Sequence, residues 1–483
     1  PANHLTDIIK TSMAFSSITF LFLYLPIFLI VYFIVPFKWW RNFILFAGSI
    51  LFYAWAEPRN VILLLLVIAV NFSAALGIQL FLGKNRRRWA KAFVVFAVFI
   101  NLGLLFYYKY ADFGVQVLND IFSVQLSSQA RSLPIGISFF IFSAISYVVD
   151  VYQESIKAQR NPLTVGLYIA MFPKLLQGPI TRFEQMESDM RYGRPSLDDI
   201  AAGIRRFIIG LSKKILLADQ LAMVSNKIMG LNFIAIGADM AWYGLIAFTL
   251  QIYFDFSGYM DMAIGLGRIL GYRLPENFNY PYISRSISEF WRRWHMTLTA
   301  WFRTYVFFPL EYARKKQKFL RQQSNLLIVF LLTGLWHGAS WNFVIWGGYF
   351  GLILAIETSF LGKMLKKIPT WLQHGYTVIL IMIGWIIFRL ENISLWKNYL
   401  RALLGWNGFT GQENAHSLNV LGYLPIVLIA IIGTTPLIRQ VVQKYATNQT
   451  MAWIGNIVII LLFGLSVAFM IANGYQSFLY FQF

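Results

Sequence analysis

Apolar runs of near membrane-spanning length recur along the whole of this 483-residue chain, and basic residues gather in the gaps between them. Candidate runs lie at roughly 18–36, 42–56, 61–82, 92–110, 134–150, 163–180, 203–221, 241–266, 325–345, 346–361, 372–390, 420–438 and 452–473. Hydrocarbon offers no partner for a backbone N–H or C=O, so a spanning segment must be a helix or part of a closed barrel. Barrel strands alternate apolar and polar residues, and none of these runs does. The expected fold is therefore all-α and polytopic, with roughly 10–13 membrane-associated helices; several short or Gly/Pro-interrupted runs read as re-entrant or interfacial.

Composition supports this reading. Hydrophobic residues make up 58% of the chain and charged residues 13%, against about 25% charged in a soluble domain. The formal net charge is +20. No basic domain stands apart, so the excess reads as the positive-inside bias plus attraction to anionic lipid headgroups, with no nucleic acid as partner. Some of it is open to a polyanionic ligand such as the phosphates of a coenzyme. The chain has no cysteine, which excludes a catalytic thiol, a protein thioester, a disulfide and a thiolate metal site.

Residues 1–12 are unlike the apolar chain after them, and Met13-Ala14-Phe15-Ser16-Ser17 reads as a start just ahead of the first span. Residues 1–12 are expected to be a non-native or disordered extension, and 13–483 a single transmembrane domain. The first apolar run passes into Phe37-Lys38-Trp39-Trp40-Arg41 without a small-residue cleavage site. Lys38 with Arg41, Lys84 to Lys91, Arg314 to Lys318, Lys363 to Lys367, and Arg439 with Lys444 are expected on the cytoplasmic side. The last span then runs outward and leaves 474–483 external. Apolar residues at 290, 291, 294, 298, 301 and 302 follow a helical stripe, so this basic stretch is expected to form one amphipathic helix at the cytoplasmic side.

One ionisable group stands out. His337 lies in Thr333-Gly334-Leu335-Trp336-His337-Gly338-Ala339-Ser340-Trp341-Asn342, inside an otherwise apolar stretch. An imidazole at membrane depth is expensive and marks function more often than packing. As a neutral base it can take a proton from a hydroxyl that attacks a carbonyl; the alternative is a histidine that only hydrogen-bonds the backbone. Asn342 is a candidate donor to orient the ring or hold an oxyanion. In Trp291-Arg292-Arg293-Trp294-His295 the guanidinium groups either face anionic phosphates or snorkel from an interfacial helix. Spacing alone does not pair His295 with His337. Asp255 and Asp261, six apart, do not share a helix face, so they are expected to pair with arginines or accept hydrogen bonds rather than bind a metal. No serine elbow, Walker loop, dinucleotide fingerprint or zinc helix is present.

These residues together resemble a family. Tyr253-Phe254-Asp255-Phe256-Ser257-Gly258-Tyr259, the run Asp261 to Gly267, Glu276-Asn277-Phe278-Asn279, Pro281 to Ser284, Glu289 to His295 and Gly334 to Ala339 are similar to blocks of the membrane-bound O-acyltransferases. The match is to the bacterial branch concerned with polysaccharide O-acetylation and teichoic-acid D-alanylation. The similarity runs from Met13 onward and is most specific over 131–351. It implies a helical ring around a membrane-embedded catalytic tunnel in a bacterial inner membrane. It also implies His337 as catalytic base and His295 as second active-site histidine. Tyr253, Asp255, Ser257, Trp291, Arg292, Arg293, Trp294, Trp336 and Asn342 are then expected to line the tunnel. The implied donor is an acyl thioester, acetyl-CoA, with no bound cofactor and no metal. Exported polysaccharide is the implied acceptor, reached directly or through an extracytoplasmic SGNH/esterase-like partner.

The tail segment Phe478-Leu479-Tyr480-Phe481-Gln482-Phe483 resembles the terminal motif of a small membrane peptide that accompanies D-alanylation. Tyr480 is thus a candidate acyl carrier; the alternative is an aromatic-belt anchor. Rival functional classes are a proton-coupled transporter and a non-catalytic scaffold of an export complex.

Overall fold

Breakers and charges, more than hydropathy, decide where the apolar runs become helices. The computed structural model describes residues 13–127, 132–317, 320–411, 419–445 and 447–473. The expected extension at 1–12 and the tail with Tyr480 lie outside the described residues. Within them every regular element is a helix. Five helices are long and apolar enough to cross a membrane: Pro58–Gly83, Arg87–Phe122, Trp341–Leu365, Thr370–Arg389 and Gln449–Ala472. The pair Leu421–Gly433 and Leu437–Lys444, bent by 65°, adds a sixth if it is one broken span. This is an all-α, multi-pass membrane protein.

The chain divides into two compact units. The first comprises the described residues up to Leu211, Tyr259–Pro275 and those from Met470 on. It contains α1 (Leu25–Phe33), α2 (Lys38–Ala56), α3 (Val61–Gly83), α4 (Arg87–Leu105), α5 (Ile137–Tyr152), α6 (Pro162–Ala170), α7 (Phe183–Tyr192) and α8 (Leu197–Ser212). Asn71 on α3 and Asn101 on α4 are fully buried and exchange amide hydrogen bonds of 3.2 and 2.9 Å. Such polar clasps hold helices together where lipid removes the hydrophobic drive for association. The expected run 163–180 does not continue as one helix. After α6 only the turn Phe172–Leu175 is helical, because Pro173 removes a donor and Gly178-Pro179 prevents resumption.

The second unit comprises Ser212–Gly258 and Glu276–Phe469. Its elements include α9 (Asp219–Met229), most of α10 (Ala238–Ile269), α11 (Ile287–Arg293), α12 (Met296–Phe302), α13 (Arg321–His337), α14 (Trp341–Ile356) and α15 (Thr370–Arg389). Helices α13 and α14 form a tight hairpin. A Cβ on Gly334 would stand 2.2 Å from the Phe343 carbonyl oxygen, and one on Gly347 would stand 2.3 Å from that of Phe330. Only glycine lets the two backbones approach so closely. The hairpin turns at 338–340, not near 345 as hydropathy suggests. Gly338 and Ser340 are extended there (φ −165° and −155°), and His337 is the last residue of α13.

Candidate functional site

The proposed site residues within the described chain all belong to the second unit. The expected single amphipathic helix over 290–302 is broken. α11 ends at Arg293, and His295 adopts the left-handed conformation, φ 45° and ψ 52°, before α12 begins. A non-glycine residue held there stores of order 1–3 kcal/mol, and such strain concentrates at functional positions. A strap of extended chain keeps the break in place. Met296 N–H donates to the Asn277 carbonyl at 3.0 Å, and Asn279 N–H donates to the Arg293 carbonyl at 3.0 Å.

Asn277 also fixes the imidazole. Its Oδ1 accepts from Thr297 N–H at 2.9 Å and from Thr297 Oγ1 at 2.9 Å, and lies 3.2 Å from His295 Nδ1. A backbone N–H can only donate, so the atom facing Thr297 is the amide oxygen, and His295 Nδ1 must carry the proton. Nε2 then holds the lone pair, and it is buried without a hydrogen-bond partner. Burial pushes the His295 pKa down to about 3. The ring is a neutral acceptor throughout the physiological range.

The short helix α11 is held from two sides. Ser286 accepts from Glu289 N–H at 3.0 Å. The buried Glu357 carboxylate accepts from Ile287 N–H and Ser288 N–H, both at 2.8 Å, and from the Ser288 hydroxyl at 2.6 Å. These are the exposed donors of a helix N-terminus satisfied by a carboxylate. Trp291 meets Trp346 and Phe350 edge-to-face at 5.6 and 5.1 Å. Trp294 stacks on Phe290 at 5.5 Å. The two guanidinium groups differ: Arg293 is bound to Glu289 (2.9 Å) and to the Asn279 carbonyl (3.0 Å), whereas Arg292 is exposed.

His337 sits in an aromatic box, with ring centroids 4.9 Å from Trp336, 5.0 Å from Trp346 and 5.4 Å from Phe388. Trp336 is shared, because its ring centroid also lies 6.0 Å from that of His295. The two imidazoles, 42 positions apart in sequence, are therefore within about 11 Å of each other. Asn342 does not orient this ring through its amide N–H groups. Its Nδ2 donates to the Phe388 and Ile387 carbonyls at 3.2 and 3.5 Å, tying the start of α14 to the end of α15.

Helix α10 supplies the remaining wall. Tyr253, Phe256 and Ser257 share a face by their spacing. Phe256 meets His295 edge-to-face at 4.8 Å, Tyr253 joins the Phe278, Tyr282 and Trp294 cluster, and the Ser257 hydroxyl is buried without a partner. Asp255 serves a different contact. It pairs not with an arginine but with Lys214, whose Nζ lies 2.7 Å from both Asp255 and Asp219, all three buried. In the first unit Asp261 pairs with Arg206 at 2.9 Å, as its sequence context suggests. Lys214 lies on a π-helical turn (Lys213–Ala218), which hydropathy does not reveal.

Several of the buried polar atoms without partners belong to the residues around the two histidines. His295 Nε2, Asn277 Nδ2, Ser257 Oγ, Trp291 Nε1 and Trp346 Nε1 are all buried and unpaired. Each such group costs about 1–3 kcal/mol when left alone. A cluster of them beside two imidazoles suits a polar substrate that supplies the missing partners. Among the described residues no group of three or more His, Asp or Glu side chains is placed to hold a metal ion. Asn277, Glu357 and Lys214 are the residues that sequence reasoning did not single out. Of these only Asn277 had a signal, its place in the Glu276–Asn279 block.

The family model for MBOAT, the membrane-bound O-acyltransferase family, matches residues 18–393. A protein of Azotobacter vinelandii described as a probable alginate O-acetylase AlgI is 36% identical, across 98% of this chain and 100% of its own length. A Helicobacter pylori peptidoglycan O-acetyltransferase is 30% identical over 98% of each. A teichoic acid D-alanyltransferase of Bacillus subtilis is 30% identical over 52% of this chain and 65% of its own.

Proposed function

The chain belongs to the membrane-bound O-acyltransferase family, and on that premise we propose that it carries acetyl groups from cytoplasmic acetyl-CoA to an exported polysaccharide. The polysaccharide acceptor is the substrate class in the names of the full-length relatives. The observation that carries the mechanism is the pair of imidazoles that both contact Trp336.

In the proposed step His337 takes the proton of an acceptor hydroxyl as its oxygen attacks the thioester carbonyl. A C–O bond forms, the C–S bond breaks, and the leaving thiolate receives that proton from the imidazolium. His295, locked by Asn277 as the Nδ1–H tautomer, offers its Nε2 lone pair to an N–H or O–H of one substrate and so orients it. General-base assistance of this kind is worth about 10²–10⁴ in rate. The aromatic walls exclude water, which would otherwise hydrolyse the thioester. We assign the protein to the bacterial inner membrane, with the donor entering from the cytoplasmic side. Tyr480 is a proposed intermediate acceptor that hands the acetyl group to an esterase-like extracytoplasmic partner. The Tyr480→Phe variant tests that relay and should lose transfer to polysaccharide.

The deciding experiment follows thiol release from acetyl-CoA by purified protein, with acceptor present, for wild type and His337→Ala. A loss of at least about a hundredfold is expected in His337→Ala with the fold retained. Equal rates would overturn the proposal.

A further inference from the structure

A recess whose lining mixes apolar surface with a few polar side chains lies in the first unit, apart from all the residues assigned above. It encloses about 480 Å³, within the range of about 300–1,000 Å³ usual for small-ligand sites. Its lining includes two cations, Lys38 and Arg191, two indoles, Trp39 and Trp40, and the amide and hydroxyl side chains of Asn161 and Thr164. No carboxylate is among its lining residues.

The charge here is poorly compensated. Lys38 Nζ donates to the Gly193 carbonyl at 2.8 Å and lies 4.7 Å over the Tyr272 ring, but among the described residues it forms no ion pair. Arg41 and Arg194 add positive potential at Lys38, against the single carboxylate of Asp189. Arg191 pairs with Glu187 at 2.9 Å through one nitrogen only, and its side chain is 57% exposed. An anion entering the recess would meet more positive than negative charge.

The rim is apolar. Phe37, just before α2, and Trp39 and Phe43, on its first turns, are all exposed. A soluble anion has no use for that apolar rim, whereas an amphiphile fits both parts at once. Trp residues beside Lys and Arg mark the headgroup level of a bilayer, and this end of α2 carries the charge expected on the cytoplasmic leaflet, where anionic lipids are enriched.

We propose that this recess is a specific site for the headgroup of an anionic phospholipid, with Lys38 and Arg191 holding the phosphodiester and Trp39 lying along the first acyl carbons. The site is independent of the acyl-transfer reading: it concerns lipid retention, not turnover.

Native mass spectrometry of the full chain released from bilayer discs of equal phosphatidylglycerol and phosphatidylcholine, with matched acyl chains, tests it. Wild type should retain phosphatidylglycerol preferentially. Lys38→Met with Arg191→Gln should lower that preference about 10- to 25-fold, since each basic group near an anionic surface contributes about fivefold. Arg87→Gln, on an exposed side chain away from the recess, should leave it unchanged. Arg191→Gln alone, at an exposed position, gives a partial loss and serves if the double variant does not fold. Equal retention of the two lipids, or a double variant as selective as wild type, would overturn the proposal. So would retention of adenosine 3′,5′-bisphosphate with displacement of phosphatidylglycerol, since the site would then serve a soluble phosphate.

Discussion

Replacing Asn277 with leucine removes one acceptor that three donors share. Thr297 Oγ1 can rotate to another acceptor, but Thr297 N–H and His295 Nδ1–H cannot, and both are buried. Two orphaned donors cost about 1–3 kcal/mol each. The variant also deletes Asn277 Nδ2, which is itself unpaired, so part of that loss is offset. The net destabilisation expected is about 2–4 kcal/mol. Function should fall further than stability, because nothing then holds the His295 proton on Nδ1, and the tautomer with Nε2 protonated has its lone pair on Nδ1 instead. Asn277→Asp keeps the acceptor and should retain the tautomer. The assay pairs thermal unfolding in detergent with initial rates of thiol release at a temperature where all variants are folded. Asn277→Leu should lose at least tenfold in rate while fully folded, with Asn277→Asp closer to wild type. A folded Asn277→Leu with wild-type rates would refute the reasoning that Asn277 sets the tautomer.

Other perturbations probe the rest of the structure. Lys214→Met leaves two buried carboxylates without their cation and should destabilise by about 3–5 kcal/mol, read as a lowered unfolding temperature. Gly334→Ala sets a methyl against the Phe343 carbonyl and should open the α13–α14 hairpin; unaltered unfolding and activity would contradict that packing. For pH, the folded His295 pKa lies near 3, below its ordinary 6.5. The unfolded chain takes up a proton that the folded one excludes, so this contribution to stability is intact above about pH 6.5 and is lost as pH falls towards 3. His295→Gln should flatten the slope over that window.

Much of the fold was legible in the runs themselves, because hydrocarbon leaves the backbone no alternative to helix. Their breaks were less legible. Residues 290–302 carry an unbroken helical stripe, yet the chain turns at His295, and no local signal marks a left-handed histidine. Hydropathy likewise runs straight through Gly338 to Ser340, where the hairpin reverses, because the turn residues are small and embedded among apolar neighbours. At the site, His337 was visible as an ionisable group out of place. His295 was visible in its basic, aromatic stretch, but its partnership with His337 came only through motif resemblance, since nothing in a spacing of 42 residues brings two imidazoles to one indole. Lys214 was invisible: it falls inside the run 203–221 with no motif around it, and the π-turn that carries it and its pairing with Asp255 leave no local signal.

The central claim is that the two histidines work as one catalytic unit, and a double-substitution cycle tests that most directly. Groups that act together are non-additive: removing both costs about as much as removing the more important one. Rates of acetyl transfer are compared for wild type, His295→Ala, His337→Ala and the double variant, each checked for folding. The expected result is a loss of about 10²–10⁴ in His337→Ala and no further loss in the double variant. Independent losses that multiply, or a His337→Ala variant as active as wild type, would contradict it.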